Sequence, residues 1–165
     1  MRSRHGEQED DDPVKGDVLS VERTIAASPD EIFAVVADAT RHHDIDGSQT
    51  VVGTRGPSQA LTLGSSFGMS MKLGVPYSTV NTVVEFEQGR RIAWQTRAPG
   101  VLGRLVGGRI WRYELQPVPG GTLVRESWDL SEDRQRLLLR LTPLPGQTRR
   151  NMERTLSRLA ELVEH

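Results

Sequence analysis

The sequence predicts an α+β domain in which an antiparallel sheet packs against a long C-terminal helix. Seven segments have the composition or the alternation of β-strands, and turn residues separate the last six of them. The chain ends in a stretch with an apolar stripe at helical spacing. Its 165 residues are enough for one domain with one hydrophobic core.

The first strand and the first helix have the clearest local signals. The segment Val18–Ile25 alternates apolar and polar residues, which is typical of a half-buried strand. Ser28 and Glu31 then form the pattern of a capping box, which predicts a helix ending near Asp38. A second short helix is expected over residues 40–46.

Six further strands are expected between residues 49 and 129, each bounded by turn residues. Their regular spacing predicts an antiparallel meander. The strands are predicted over residues 49–54, 65–73, 77–87, 92–97, 109–115 and 122–129.

The C-terminal region predicts two helices. Ser131 can cap a short one that ends at Leu141, and Pro143 and Pro145 then break the chain. A long helix follows over residues 148–164, and its stripe must dock on the sheet. The stripe consists of Met152, Leu156, Leu159 and Val163.

The net charge of −1 conceals an uneven distribution. Residues 1–88 hold 7 basic and 14 acidic side chains, whereas residues 89–165 hold 14 and 8. An Arg-rich half is typical of a surface that binds nucleic acid or an anionic membrane. The alternative, which we favour, is that the two halves interleave in one fold and their charges neutralise each other locally. Residues 1–16 are polar and charged, so we expect a disordered tail followed by a single domain over residues 17–165.

Composition excludes several classes of chemistry. The chain has no Cys, which excludes disulfides, thiol nucleophiles and Cys-ligated metals. No apolar run has the length of a transmembrane helix and no secretory signal is recognised, so we expect a cytoplasmic protein. Adjacent His42 and His43 point in different directions, and we expect no metal site and no cofactor.

Four segments together resemble the START-like or SRPBCC superfamily, in its bacterial polyketide cyclase/dehydrase branch. They are VERTIAASPDEIFAVVADATRHHDID at 21–46, FEQGRRIAW at 86–94, WRYELQPVPGGTLVRESWDL at 111–130 and NMERTLSRLAELVE at 151–164. The resemblance implies the helix-grip fold of the birch-pollen allergen. In that fold a curved seven-stranded antiparallel sheet wraps the C-terminal helix and leaves a deep apolar cavity. The family commonly has a Trp where this chain has the stretch from His43 to Asp46.

The strand phases supply candidates for such a cavity. Glu126 shares its phase with Val124 and Trp128, so it either acts as an acid or base inside the cavity or pairs with Arg109. Arg23 is a further inward candidate. Tyr113 is the other catalytic candidate, and His43 is a candidate gate residue. The predicted ligand-binding residues are Phe67, Met69, Met71, Trp94, Trp111, Tyr113, Glu126, Trp128 and His43.

Three functions remain open. We favour a carrier or sensor that binds a hydrophobic small molecule, lipid or polyketide-like, because no catalytic constellation stands out. The alternatives are a polyketide cyclase or dehydratase that folds a polyketone chain inside the cavity, and an assembly subunit that uses its Arg-rich half. We expect no nucleic acid partner and no transmembrane segment, and a homodimer remains open.

Overall fold

The computed structural model describes residues 16–55 and 60–165. Apart from Gly16, the predicted tail over residues 1–16 lies outside the described residues. The described chain contains the strands β1 (Val18–Ile25), β2 (Val51–Arg55), β3 (Ser66–Leu73), β4 (Val75–Glu87), β5 (Arg91–Arg97), β6 (Gly107–Val118) and β7 (Gly121–Asp129). Its α-helices are α1 (Pro29–Val36), α2 (His42–Ile45), α3 (Arg136–Arg140) and α4 (Leu144–Val163).

The strands form one antiparallel sheet in the order β1-β7-β6-β5-β4-β3-β2. β1 and β2 form the two edges of the sheet. β1 pairs with β7, the last strand, and α1 and α2 carry the chain from β1 to β2 at the opposite edge. Helix α4 packs against β1 and β7. The α+β class and the packing of an antiparallel sheet on the long C-terminal helix are therefore confirmed.

Local signals set the bounds of the first helix. The Ser28 hydroxyl accepts from the backbone N–H of Glu31, and the Glu31 carboxylate accepts from that of Ser28, so the predicted capping box is present. The helix ends at Val36, and a 3₁₀ turn over Ala39–Arg41 leads into α2. Both short helices lie where the sequence predicts them.

Helix α4 begins earlier than predicted. It starts at Leu144, so Pro145 and Gly146 lie in its first turn and do not break the chain. Proline is tolerated there because the first backbone N–H groups of a helix have no acceptor within it. Ser131 does not cap α3, which begins at Arg136.

The core lies between α4 and the face of the sheet that carries Val21, Tyr113 and Glu126, called here the inner face. Leu156 and Leu159 of the predicted stripe are almost fully buried against it. Full burial of each such side chain contributes roughly 1.5–3 kcal/mol. This packing fixes α4 over β1 and β7.

Ion pairs join the acidic and basic halves of the chain. Glu22 pairs with Arg125, and Glu85 lies 2.6 Å from the Arg112 guanidinium. These pairs link carboxylates of the first half to arginines of the second. They agree with the interpretation that the two halves interleave and neutralise each other locally.

Candidate ligand-binding site

Tyr113 and Glu126 form a buried polar pair at the centre of the inner face. They lie directly opposite each other on β6 and β7, and the Tyr113 hydroxyl donates to Oε1 of Glu126 at 3.0 Å. Burial raises the pKa of Glu126 to about 8. Burial, aided by the neighbouring Glu126 charge, also raises the pKa of Tyr113 well above its usual value. Both groups are therefore mostly neutral at pH 7.

The second oxygen of Glu126 is available for another hydrogen bond. Oε2 is buried and has no hydrogen-bond partner among the described residues. Since Oε1 accepts from Tyr113, the proton of the neutral carboxyl resides on Oε2, which makes this oxygen a donor. A buried donor without an acceptor costs about 1–3 kcal/mol.

Trp128 and His42 each hold a further buried polar atom that has no hydrogen-bond partner in the described part of the chain, the indole Nε1 and the imidazole Nδ1. Trp128 follows Glu126 by two residues on the same face, a spacing of about 7 Å along the strand. The His42 Nε2 lies 2.9 Å from the Val36 carbonyl oxygen, which can only accept, so Nε2 carries the hydrogen. Burial lowers the pKa of His42, so the ring is neutral and Nδ1 is an acceptor.

Aromatic rings connect these polar groups. Trp94 lies between His42 and Tyr113, with ring centroids 4.7 and 5.7 Å away and nearly parallel planes. Phe67 meets the rings of His42 and Trp94 edge-on. The inner face therefore combines flat apolar walls with two unpartnered donors and one unpartnered acceptor.

The other predicted ligand residues occupy several environments. Met69 is buried and Met71 is half-buried, both on β3. Trp111 is half-buried, with its ring 6.2 Å from that of Trp128. His43 lies at the surface, 3.8 Å from Asp44, with 60% of its side chain exposed. All of these except His43 adjoin the buried core.

One sequence interpretation is wrong. Arg109 donates to Asp133 at 3.2 Å and is not the partner of Glu126. Arg23 shares the inner-face phase of Val21 on β1, and its exposed side chain donates to Ser157 of α4 and not to Glu126. Glu126 lies opposite Tyr113, and that register decides its partner.

His42 is the site residue that the sequence analysis missed. It precedes Ile45 by three residues on α2, so both lie on the buried side of that helix. The three-residue spacing between His42 and Ile45 is the signal in the sequence that indicates a buried His42. His43 belongs to the opposite side and is exposed.

Two grooves of the described surface lie away from these residues. A groove of about 450 Å³ lies along β1 and α4, and another of about 230 Å³ lies on the outside of the sheet. Neither is lined by a predicted ligand residue. Where the resemblance implies a deep cavity, buried side chains of the inner face and of α4 belong to one hydrophobic cluster.

Within residues 16–55 and 60–165, no three His, Asp or Glu side chains converge on a point that could hold a metal ion. No helix in the same part of the chain has the length and hydrophobicity needed to span a bilayer.

Comparison with known proteins decides the family. The family model described as polyketide cyclase / dehydrase and lipid transport matches residues 18–164. The chain belongs to this family. The resemblance to SRPBCC proteins seen in the sequence is thereby confirmed.

A sequence relative and two solved structures are similar to this chain, and the structures support the fold. The protein Rv0088 of Mycobacterium tuberculosis H37Rv is 35% identical over 107 residues, which cover 64% of this chain and 44% of Rv0088. The chain therefore spans less than half the length of this relative. The crystal structure of CV1439 from Chromobacterium violaceum has a TM-score of 0.67 at 16% identity, covering 90% of this chain and 98% of CV1439. The solution structure of the Aha1 dimer from Colwellia psychrerythraea has a TM-score of 0.64 at 15% identity, and the match covers 89% of this chain and 96% of the Aha1 chain.

Proposed function

We propose that this chain binds a hydrophobic small molecule carrying neutral oxygen groups, as a carrier or sensor, between the inner face of the sheet and α4. The observation that carries the proposal is the set of unpartnered buried atoms at Glu126, Trp128 and His42. Native interiors rarely leave such atoms without a partner. A ligand's oxygens would satisfy them, while Trp94 and Tyr113 would pack on its carbon skeleton.

The donor and acceptor pattern narrows the chemistry of the ligand. The protonated Oε2 of Glu126 and the indole N–H of Trp128 suit carbonyl oxygens, and Nδ1 of His42 suits a hydroxyl. A lipid-like or polyketide-like skeleton with carbonyl and hydroxyl groups fits this arrangement. Family membership supports the same class of ligand.

Binding requires the core side chains to move. Phe67 and Met69 line the same interior as Trp94, and Met side chains adapt easily because they are unbranched and have three rotatable bonds. We infer that the ligand takes the place of contacts that these residues make with one another. The apolar area that the ligand buries would offset the loss.

Native mass spectrometry of the purified chain tests the proposal. The wild type is expected to carry a co-purified neutral lipid-like molecule, and Glu126→Leu is expected to carry less of it because the substitution removes both carboxyl oxygens. Leu63→Ser, a change at a surface position that is 65% exposed, is the control and is expected to retain the molecule. A wild-type chain that is empty and gains no mass on incubation with lipid extract would contradict the proposal.

A cyclase or dehydratase activity is the second candidate, and the pKa of Glu126 favours it. A carboxyl with a pKa of about 8 exchanges protons near neutral pH, which suits a general acid or base acting on a polyketone carbonyl. In that case Glu126→Gln should abolish turnover while ligand binding persists. If Glu126→Gln loses turnover and ligand binding to the same extent, Glu126 serves in binding and not in catalysis.

A homodimer is a further proposal, supported by the dimeric Aha1 structure of Colwellia psychrerythraea. Sedimentation velocity tests it directly. A single monomeric species at all concentrations would contradict it.

A further inference from the structure

A cluster of exposed aliphatic side chains lies at one end of the fold. Two elements contribute to it: the turn between β5 and β6, which contains the 3₁₀ segment Gly100–Arg104, and helix α3 with its C-cap. We call the cluster the aliphatic surface. It consists of Val101, Leu102, Leu105, Val106, Leu137, Leu138 and Leu141, which are 45–86% exposed.

Gln135 holds the two elements side by side. Its side-chain amide donates to the Leu105 carbonyl at 2.7 Å, and its side-chain oxygen accepts from the Gly107 N–H at 3.0 Å. The Arg134 N–H donates to the Gly107 carbonyl at 2.9 Å. The aliphatic surface is therefore one continuous feature with a fixed backbone.

Exposed arginines border the aliphatic surface. Arg104 and Arg134 have no carboxylate within ion-pair distance in the described part of the chain, and Arg136 donates to the Ser131 carbonyl. Arg140 pairs with Asp17 at 3.2 Å. Three carboxylates lie in the same region: Asp17 and Asp133 are paired with Arg140 and Arg109, and the exposed Glu132 accepts from Gln95. Arginines therefore outnumber the carboxylates that border the surface.

We propose that the aliphatic surface docks this protein on an anionic lipid membrane. Monomeric proteins rarely expose continuous apolar patches larger than a few hundred Å² unless the patch binds something. Aliphatic side chains that insert below the headgroups, together with a cationic border that attracts anionic lipids, are the two attractive terms of interfacial membrane binding.

The composition of the patch favours a membrane over a protein partner. Protein interfaces depend on Trp and Tyr anchors that fill pockets, and this surface contains only Leu and Val. Its side chains belong to a turn and to a single short helix, and they are 45–86% exposed. A protruding aliphatic tip inserts readily into a bilayer.

The aliphatic surface also adjoins the interior. Leu139 of α3 and Leu144 of α4 are partly buried against the core, whereas Leu138 and Leu141 point to solvent. Helix α3 therefore separates the docking surface from the core. A ligand taken from a bilayer would enter beside α3.

Co-sedimentation of the full chain with vesicles tests the proposal. The wild type should bind vesicles of phosphatidylcholine and phosphatidylglycerol mixed three to one, and bind pure phosphatidylcholine weakly. Leu137→Ser combined with Leu141→Ser should weaken partitioning on the order of tenfold, because it removes two inserted side chains. Raising the salt from about 0.1 M to about 1 M should reduce binding, since the Debye length falls to about 3 Å.

Two controls match these changes. Leu63→Ser alters a leucine that is 65% exposed and belongs to neither element of the aliphatic surface, so this variant should bind like the wild type. Arg104→Gln with Arg134→Gln should reduce binding to the anionic vesicles, whereas Arg154→Gln on α4 should not. Failure of the wild type to bind the mixed vesicles, or equal loss in the Leu63→Ser control, would overturn the proposal. A wild-type dimer that the double leucine variant converts to monomer, without vesicle binding, would instead assign the surface to self-association.

Discussion

The Tyr113 hydroxyl donates a 3.0 Å hydrogen bond to Oε1 of Glu126 inside the core, whereas the other carboxyl oxygen has no hydrogen-bond partner within residues 16–55 and 60–165. The pair lies at the centre of the inner face, where burial holds both groups in their neutral forms. The chemistry proposed for the site depends on that protonation state.

Glu126 makes stability depend on pH. Its pKa is about 8 in the folded state and near 4.5 in the unfolded chain, so the folded state binds more protons between these values. Its stabilising contribution is complete below pH 4.5 and is lost as pH rises through 8. Urea unfolding between pH 6.5 and 8 should show the free energy of unfolding falling by about 1 kcal/mol per pH unit. In Glu126→Gln this fall should disappear, and a fall that persists would show that another group causes it.

Tyr113→Phe should move the pH dependence that Glu126 causes and should also lower the overall stability. The hydrogen bond from Tyr113 lowers the pKa of Glu126 relative to burial alone, so its loss should move the titration to higher pH. Loss of the donor also leaves a buried acceptor, which should cost about 1–3 kcal/mol of stability. Tyr77→Phe is the matched control, because Tyr77 is 43% exposed. If the free energy of unfolding of Tyr113→Phe has the same pH profile as that of the wild type, the Tyr113 hydroxyl does not affect the pKa of Glu126.

His42 should weaken the fold in acid. Burial lowers its pKa below 6.5, so the unfolded chain binds the proton more readily. Its stabilising contribution is complete above pH 6.5 and is lost as pH falls through the lowered pKa. His42→Gln should reduce the loss of stability that the wild type shows between pH 6.5 and 5. Identical acid profiles for this variant and the wild type would contradict the burial of His42.

Gly47 lies where α2 approaches α4 most closely. Its N–H donates to the Thr155 hydroxyl at 3.0 Å, and a Cβ would lie 2.1 Å from the Asn151 carbonyl oxygen. Gly47→Ala should therefore destabilise the protein by roughly 1–3 kcal/mol. At Gly146, in the first turn of α4, a Cβ would lie 3.8 Å from the Arg150 guanidinium, so Gly146→Ala should stabilise by up to about 1 kcal/mol. Thermal unfolding gives the melting temperature of each variant. A change in the same direction for both variants would contradict this packing.

The sequence predicts most of the fold because its signals are local. The capping box of Ser28 and the alternation of β1 depend on neighbouring residues alone, and both are found in the structure. The start of α4 was misplaced because proline breaks a helix interior but suits a first turn. To tell these two positions apart, one must know the residue at which the helix begins. The packing of α4 on the sheet determines that residue.

The candidate site was predicted less completely because it depends on register. Tyr113 and Glu126 each lie five residues from the pair Val118–Gly121 that closes the β6–β7 hairpin, so counting back from the turn would have matched them. His42 was missed because the choice between two adjacent histidines depends on the rotation of a four-residue helix. The exposure of the leucines of α3 depends on the tertiary structure, and no local pattern reveals it.

The central claim is that the buried polar atoms at Glu126, Trp128 and His42 bind the oxygens of an apolar ligand. Its most direct test is the quenching of tryptophan fluorescence by 2-acetylnaphthalene and by 2-ethylnaphthalene, which have similar shapes and differ in one carbonyl oxygen. The wild type is expected to bind the ketone about tenfold more tightly, which corresponds to about 1.4 kcal/mol. In Glu126→Leu this preference should disappear. Equal affinity of the wild type for the two compounds, or binding of neither, would contradict the account.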